Sequence, residues 1–421
     1  MASTQATNGP KPEEIRSDVA VVGAGPAGIA AALALAHVGA RTALIGPAPS
    51  QSDDAHRETR TAALLASSVD FLKRLEVWDA LAPHAAPLKA IRIIDASRSL
   101  LRSPDVTFEA AELGLEAFGY NVANTVLLDA LYARAREILP LVLDTSAKEI
   151  ALDAHEARLK LGDGQRLTAR LVAGADGRKS VCREAAGIET SEWRYDQGAI
   201  ATSFRHTRHH DGVSTELHKE SGSVTTVPTT DKLASSLIWV GPPAEIADLM
   251  AGHAAGFAVR LQERLGESLG TISDVGPRAE FPVAGLTAKR LAHNRTALVG
   301  EAAHILPPIG AQGLNLGLRD AAALADCVAG ALRRGHDPGG MAALSAYVRA
   351  RQLDVLSRTI GVDLLNRSLL TSLIPVQAAR GLFLHGLNAL PPLRRMIMRA
   401  GLAPPAELPS LMRPQPAGLR A

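Results

Sequence analysis

The chain has 421 residues, 47% of them hydrophobic, enough to bury one large core or two smaller ones, so disorder is excluded for most of it. Its 45 Lys and Arg against 43 Asp and Glu leave a formal charge of +2, which gives no general field for collecting nucleic acid. Cys182 and Cys327 stand far apart with no second Cys or paired His nearby, which suggests neither a disulfide framework nor a zinc motif and fits a reducing cytoplasm.

Residues 1–16 are polar, carry Pro10, Pro12, Glu13 and Glu14, and read as a disordered tail rather than a secretory or transit segment. Asp18 to Arg41 encloses a long uncharged stretch, but Gly23, Gly25, Pro26 and Gly28 break it where a membrane span needs continuity. What remains is a strand at Val19–Val22, a glycine turn, an Ala/Leu-rich helix from Ile29 to His37 and a strand at Thr42–Ile45, a βαβ unit. In the turn Gly23-Ala24-Gly25-Pro26-Ala27-Gly28, the first glycine permits a tight exit from the strand. The second lets backbone approach a pyrophosphate, and the third lets helix pack on sheet. By itself this pattern allows a dehydrogenase equally, or a turn that binds nothing. The acid that usually ends the next strand and holds the adenosine ribose is absent, and Gly46 stands in its place.

After a polar segment from Ser50 to Arg60, helices are expected through Phe71-Leu72 toward Trp78 and from Val126 to Ile138. Gly174-Ala175-Asp176-Gly177 follows the apolar Leu171-Val172 and is either a ligand-binding turn or an Asp-Gly turn capping the next helix. From Ser191 to Pro282 strand-like runs such as Ala199–Thr202 and Leu237–Val240 dominate, interrupted by a helical stretch near Ala244 to Leu265. Residues 191–282 are therefore expected to form an inserted β-rich substrate domain. Within it, His206, His209, His210 and His218, with Asp211 and Glu216, match no ligand spacing, so no metal site is expected.

Thr296 to Gly300 looks like a return to the parallel sheet, which makes the nucleotide-binding domain discontinuous, 17–190 with 283–343. The fold class expected is α/β: a discontinuous Rossmann-like domain, the inserted β-rich domain, and a helical region over 344–421. The loop from Gly300 to Gly317 has too many glycines and prolines for a simple connection, and a helix is expected from Leu314 to Leu332. His304 within it is expected to make a structural hydrogen bond, with a proton relay as the alternative. Further on, no acidic residue occurs between Asp363 and Glu407, while Arg367, Arg380, Arg394, Arg395 and Arg399 punctuate apolar stretches. Residues 364–406 read either as a basic amphipathic surface lying on an anionic membrane or as helices covering the core or a partner subunit.

Taken together, the glycine turn, Arg60-Thr61-Ala62-Ala63-Leu64, Leu75-Glu76-Val77-Trp78, Ala175-Asp176-Gly177, the loop Gly300–Gly317, Tyr347 to Asp354 and Arg380-Gly381-Leu382 resemble the FAD-dependent aromatic hydroxylases related to para-hydroxybenzoate hydroxylase. The chain looks most like their ubiquinone-biosynthesis branch, over about residues 17 to 402. The resemblance implies that Gly23, Gly25, Ala27 and Gly28 hold the pyrophosphate of FAD and that Arg60 contacts its phosphate side. Asp176 and Gly177 would serve FAD and a passing nicotinamide, and Gly300 with Glu301 the ribityl chain. Pro307, Gly310, Gln312, Gly313, Leu314 and Asn315 would line the isoalloxazine, with a helix N-terminus stabilising negative charge on the reduced ring.

The sequence departs from the family at Gly46 and at Glu301, where the family commonly has Asp. The implied reaction takes electrons from NAD(P)H or another donor and transfers one atom of O2 to an electron-rich ring, with no side-chain nucleophile. A polyprenylated aromatic substrate at the cytoplasmic membrane face is the leading expectation, with a biosynthetic complex or homo-oligomer left open. The alternatives are a soluble aromatic substrate and a non-catalytic flavoprotein-like scaffold.

Overall fold

The computed structural model describes residues 15–49, 60–96, 104–219, 222–370, 374–402 and 407–414. In chain order the elements used below are β1 (Ile15–Val22), α1 (Pro26–His37), β2 (Thr42–Ile45), β3 (Thr61–Leu65), α2 (Ala66–Arg74), β4 (Ala90–Asp95), β5 (Val106–Glu109), β6 (Gly119–Ala123), α3 (Asn124–Ile138), β7 (Leu141–Leu143), β8 (Arg166–Gly174) and α4 (Val181–Ala185). They continue with β9 (Thr190–His206), β10 (Val213–Lys219), β11 (Gly222–Pro228), β12 (Ala234–Gly241), α5 (Pro243–Ala251), α6 (Ala254–Leu265), β13 (Ala279–Ala288), β14 (Thr296–Leu298) and β15 (His304–Ile305). The last helices are α7 (Gln312–Arg333), α8 (Met341–Leu370), α9 (Ile374–Ala389) and α10 (Pro391–Leu402).

The first sheet has β14, β8, β1, β2 and β7 side by side and parallel, the α/β architecture expected. Val19 to Val22 are buried without alternation because both faces of β1 are covered. Helix α1 is buried at every position from Gly28 to Leu35, since it lies between this sheet and α7. Ala-rich surfaces let α1 and α7 come close: a Cβ on Gly317 would lie 3.1 Å from Gly300 Cα and 3.2 Å from Ala27 Cβ.

The second sheet runs β15-β13-β9-β12-β11-β10-β4-β5. Residues 90–95 and 106–109 fall in the span expected for the nucleotide-binding part; instead β4 pairs with β10 from Ala90↔Val213 to Asp95↔His218 and β5 pairs with β4, so both strands join the β-rich sheet. Its other end takes β13 beyond Pro282, together with β15. One face of it is covered by α5 and α6, the two helices into which Ala244–Leu265 resolves. A three-stranded sheet of β3, β6 and Ala86–Pro87 lies between the two large ones, so a strand precedes the helix expected near Phe71.

Ile15 and Arg16 open β1 and do not belong to a tail; residues 1–14, the polar segment 50–59 and the side chains of 369–380 lie outside the described residues. Past α10 the chain returns to the first core, where Leu411 and Met412 are buried and Asp326 of α7 accepts from Ser410 N–H at 2.8 Å. Among the described residues no helix is long and apolar enough to cross a membrane.

Candidate active site

Register brings the three sequence blocks to one edge. Val22 pairs with both Gly174 and Ile45, and Gly174 pairs with Leu298. The turns that follow these residues, at Gly23, Ala175, Gly46 and Gly300, therefore share the carboxyl end of the parallel sheet, with β1 flanked by chain leaving in both directions. Four backbone bonds extend the ladder past the strands: Gly23 N–H to Ile45 O at 2.7 Å, Ala175 N–H to Val22 O at 2.8 Å, Val299 N–H to Gly174 O at 2.8 Å and Gly46 N–H to Leu143 O at 3.1 Å. Ligands bind at this position in open α/β sheets.

The glycines of the turn divide by what a side chain would meet. Gly23 has φ +118°, and a Cβ there would sit 2.2 Å from Ala175 O; at Gly28 it would sit 2.0 Å from Gly23 O. Both are required by the protein's own packing. A Cβ on Gly25, by contrast, meets nothing within 4 Å among the described residues. Gly25 caps α1, whose first turn has no acidic residue, so its free N–H groups form an uncompensated positive end beside open space. The same holds at α7: among the described residues Gly313 meets nothing within 4 Å and the buried Oε1 of Gln312 has no hydrogen-bond partner, and the first turn has no acid.

Ala27 and Gly317 touch at the helix crossing. With about 1.5 Å of rise per residue, the two open helix starts lie about one turn or less from that contact. Two adjacent anion-accepting N-termini with room for a ligand fit the diphosphate and the ring of a flavin dinucleotide.

Gly46 is also explained. Its Cβ would be 2.5 Å from Ala24 N and 2.7 Å from Ala24 Cβ, so the glycine turn lies too close for any side chain, acidic or not.

Other expected residues prove to be internal supports. Asp176 accepts from Ser180 Oγ at 2.5 Å and from Cys182 N–H at 3.1 Å, and Ser180 in turn caps α4 by accepting from Arg183 N–H at 2.9 Å. The helix-capping role of the Asp-Gly turn is thus present, with Gly177 at φ +76°. Asn315 was expected against the ring; it is 1% exposed and all four of its hydrogen-bonding positions are taken by protein. Its Oδ1 accepts from Leu65 N–H and Ser68 Oγ, and its Nδ2 donates to Ala63 O and Ala311 O, at 2.7–2.9 Å. It therefore fastens the start of α7 to β3, the strand that Arg60 immediately precedes. The loop before it turns through Gly310 and Ala311, both with positive φ, near the buried Pro307 and the half-buried Leu314. Glu301 is exposed in a single turn of 3-10 helix after Gly300.

Beneath the loop lies a buried ionic network that sequence reasoning missed. Asp320 accepts from Gly300 N–H at 3.0 Å and from Arg351 Nε at 2.7 Å, and pairs with His304 Nε2 at 2.6 Å. Arg351 continues to Asp354 at 2.8 Å, which also pairs with Arg319 at 3.1 Å. Burial pushes the Asp320 carboxyl up, but His304 and Arg351 outweigh it and hold it below the usual range. Burial lowers Arg319 to about 10 despite Asp354. The signal available in the sequence was Arg319-Asp320, two opposite charges set in the apolar run from Leu316 to Ala325.

The family described as FAD binding domain matches residues 16–357. The chain belongs to this family. The flavin hydroxylase is 34% identical to the ubiquinone hydroxylase UbiL of Rhodospirillum rubrum, over 95% of this chain and 93% of the relative. It is 31% identical to the 3-demethoxyubiquinol 3-hydroxylase of Escherichia coli, over 92% and 98%. Its fold is that of p-nitrophenol 4-monooxygenase PnpA from Pseudomonas putida, with a TM-score of 0.74 at 21% identity over 94% of this chain and all of that one.

Proposed function

We propose that this FAD-dependent monooxygenase hydroxylates the ring of a polyprenylated aromatic intermediate of ubiquinone biosynthesis, working against a membrane surface. The observation that carries this is the match to a ubiquinone hydroxylase over 95% of the chain. FAD, when bound, supplies oxygen activation, drawing on NAD(P)H or another donor and on O2. The chain's residues bind, orient and exclude water. Gly25 and the start of α1 receive the diphosphate, with Gly23, Ala27 and Gly28 shaping the turn; Arg60 serves the cofactor's phosphate side, and the turn of Asp176 and Gly177 serves FAD and the passing nicotinamide. Glu301 is directed to the ribityl chain. The loop with Pro307, Gly310, Gln312, Gly313 and Leu314 receives the ring, and Asn315 and Asp320 keep that loop in place.

Support for the membrane comes from α8, where Leu353, Leu356, Ile360 and Leu364 recur at helical spacing and are 49–61% exposed. Leu382 and Phe383 of α9 and Met396 of α10 add exposed apolar side chains, with Arg395 and Arg399 also exposed.

Cells lacking the protein are expected to accumulate a prenylated ring one oxygen short of the next intermediate. Wild-type protein should restore it and the variant Gly25→Leu should not. Unchanged quinone content in such cells sinks the proposal.

A further inference from the structure

The second sheet has two faces, and α5 and α6 cover one through Ile246, Leu249, Phe257 and Leu261 against Ile200, Leu237 and Trp239. Register fixes the composition of the other. Ala199 and Ala201 stand opposite Val240 and Ile238, which stand opposite Ser223 and Thr225; these pair with His218 and Glu216, and His218 pairs with Asp95. This face is turned toward the cofactor loop. Ser236, two residues before Ile238 on the same strand, bonds Thr61 at 2.9 Å, and Thr61 opens the strand that Asn315 fastens to the start of α7. At the outer edge, over β4 and β5, α9 and α10 close it through Leu387 and Met398.

Along β10 this mostly apolar and hydroxyl-bearing face carries an acid–base pair that, among the described residues, supports no loop, cap or helix. His218 Nε2 lies 3.2 Å from Glu216 Oε1. His218 is 5% exposed, and its Nδ1 is buried with no hydrogen-bond partner among the described residues. Native proteins rarely leave such an atom without a purpose, and a binding or catalytic role is among the recurrent ones. Burial pushes the Glu216 carboxyl up, but His218 outweighs it, so the carboxylate form is held beside the imidazole. A Glu216 carboxylate accepting from Nε2–H fixes the tautomer in which Nδ1 is an acceptor.

Resting on the function proposed above, we propose that His218 and Glu216 recognise the ring hydroxyl of a phenolic substrate, the phenol O–H donating to His218 Nδ1. Transfer of that proton to Nδ1 leaves an imidazolium paired with the Glu216 carboxylate and a phenolate whose ring carbons are richer in electrons. That is what insertion of an electrophilic oxygen requires, and the proton returns to the ring oxygen before product leaves. His218 is thereby a catalytic residue and Glu216 its positioning partner.

The test compares two probes on the FAD-loaded protein by isothermal titration: 2-geranylphenol and its methyl ether, which cannot donate. Wild type is expected to bind the phenol about tenfold more tightly than the ether. His218→Phe should remove that preference while leaving ether affinity unchanged. His218→Asn, which keeps an acceptor near the Nδ1 position, should retain part of it. Glu216→Gln, the mildest change, should lower the ratio by about threefold. A preference that survives His218→Phe and Glu216→Gln overturns the pair's role, as does an equal loss for both probes. Wild type that binds neither probe overturns the substrate class first, and the pair with it.

Discussion

Gly25 and Gly23 are the same residue type two positions apart, yet they answer to different demands. Gly25→Leu is expected to leave the fold intact, because a side chain there enters open space, and to lower the FAD to protein ratio by roughly tenfold or more. Gly23→Ala should instead lower thermal stability, since it forces a Cβ onto Ala175 O at a backbone angle that L residues rarely adopt. Absorbance of the purified variants with their melting temperatures separates the two. Gly46→Asp is a sharper case. Restoring the usual acid should weaken FAD retention, because Ala24 occupies the space it needs; tighter retention would contradict this packing argument. The glycine turn was legible in sequence because its chemistry is local. The reason for Gly46 was not, because its neighbour Ala24 is brought alongside only by strand pairing.

Elements that position the cofactor loop are held by polar groups with little surplus capacity. Removing Asn315 leaves four protein partners short of one bond each, and Asn315→Ala is expected to cost about 2–4 kcal/mol, read from urea midpoints. Asp320 adds a pH signature. Its folded carboxyl lies below the usual range, so its contribution is fully present above the unfolded value near about 4 and is lost as pH falls through the folded one. Wild type should therefore lose stability on acidification, and Asp320→Asn should start about 3–5 kcal/mol less stable at pH 7 with a flatter acid limb. Parallel acid limbs would assign the loss to other carboxylates. The loop's glycines and prolines announced it in sequence. The network under it was hidden because Asp320 and Arg351 meet only when α7 packs on α8, as β4 and β10 meet across more than a hundred residues.

At the scale of the molecule, the feature with most bearing on the substrate is the apolar stripe of α8. The double variant Leu356→Glu with Leu364→Glu is expected to reduce flotation with vesicles containing anionic phospholipid, while FAD content stays at the wild-type level. Equal flotation sinks membrane docking by this face. The sequence reading placed the surface at 364–406. The exposed stripe begins earlier, at Leu353, because the buried face of α8 is spent on Tyr347, Arg351 and Asp354 and its outward face is free to be apolar beyond them.

The clip formed by Ser410, Leu411 and Met412 against α7 and the first core gives these helices a second anchor. The described helices between Asp354 and Ser410 are held along their length as well, since Leu387 and Met398 pack on β4 and β5 and Arg394 pairs with Glu112 at 2.9 Å. Cutting the chain after Leu402 removes two buried side chains, Leu411 and Met412, from the nucleotide-binding half. The exposed apolar stripe of α8 is thereby held in a fixed position relative to both large sheets, through Tyr347 on the first and through Leu387 and Met398 on the second.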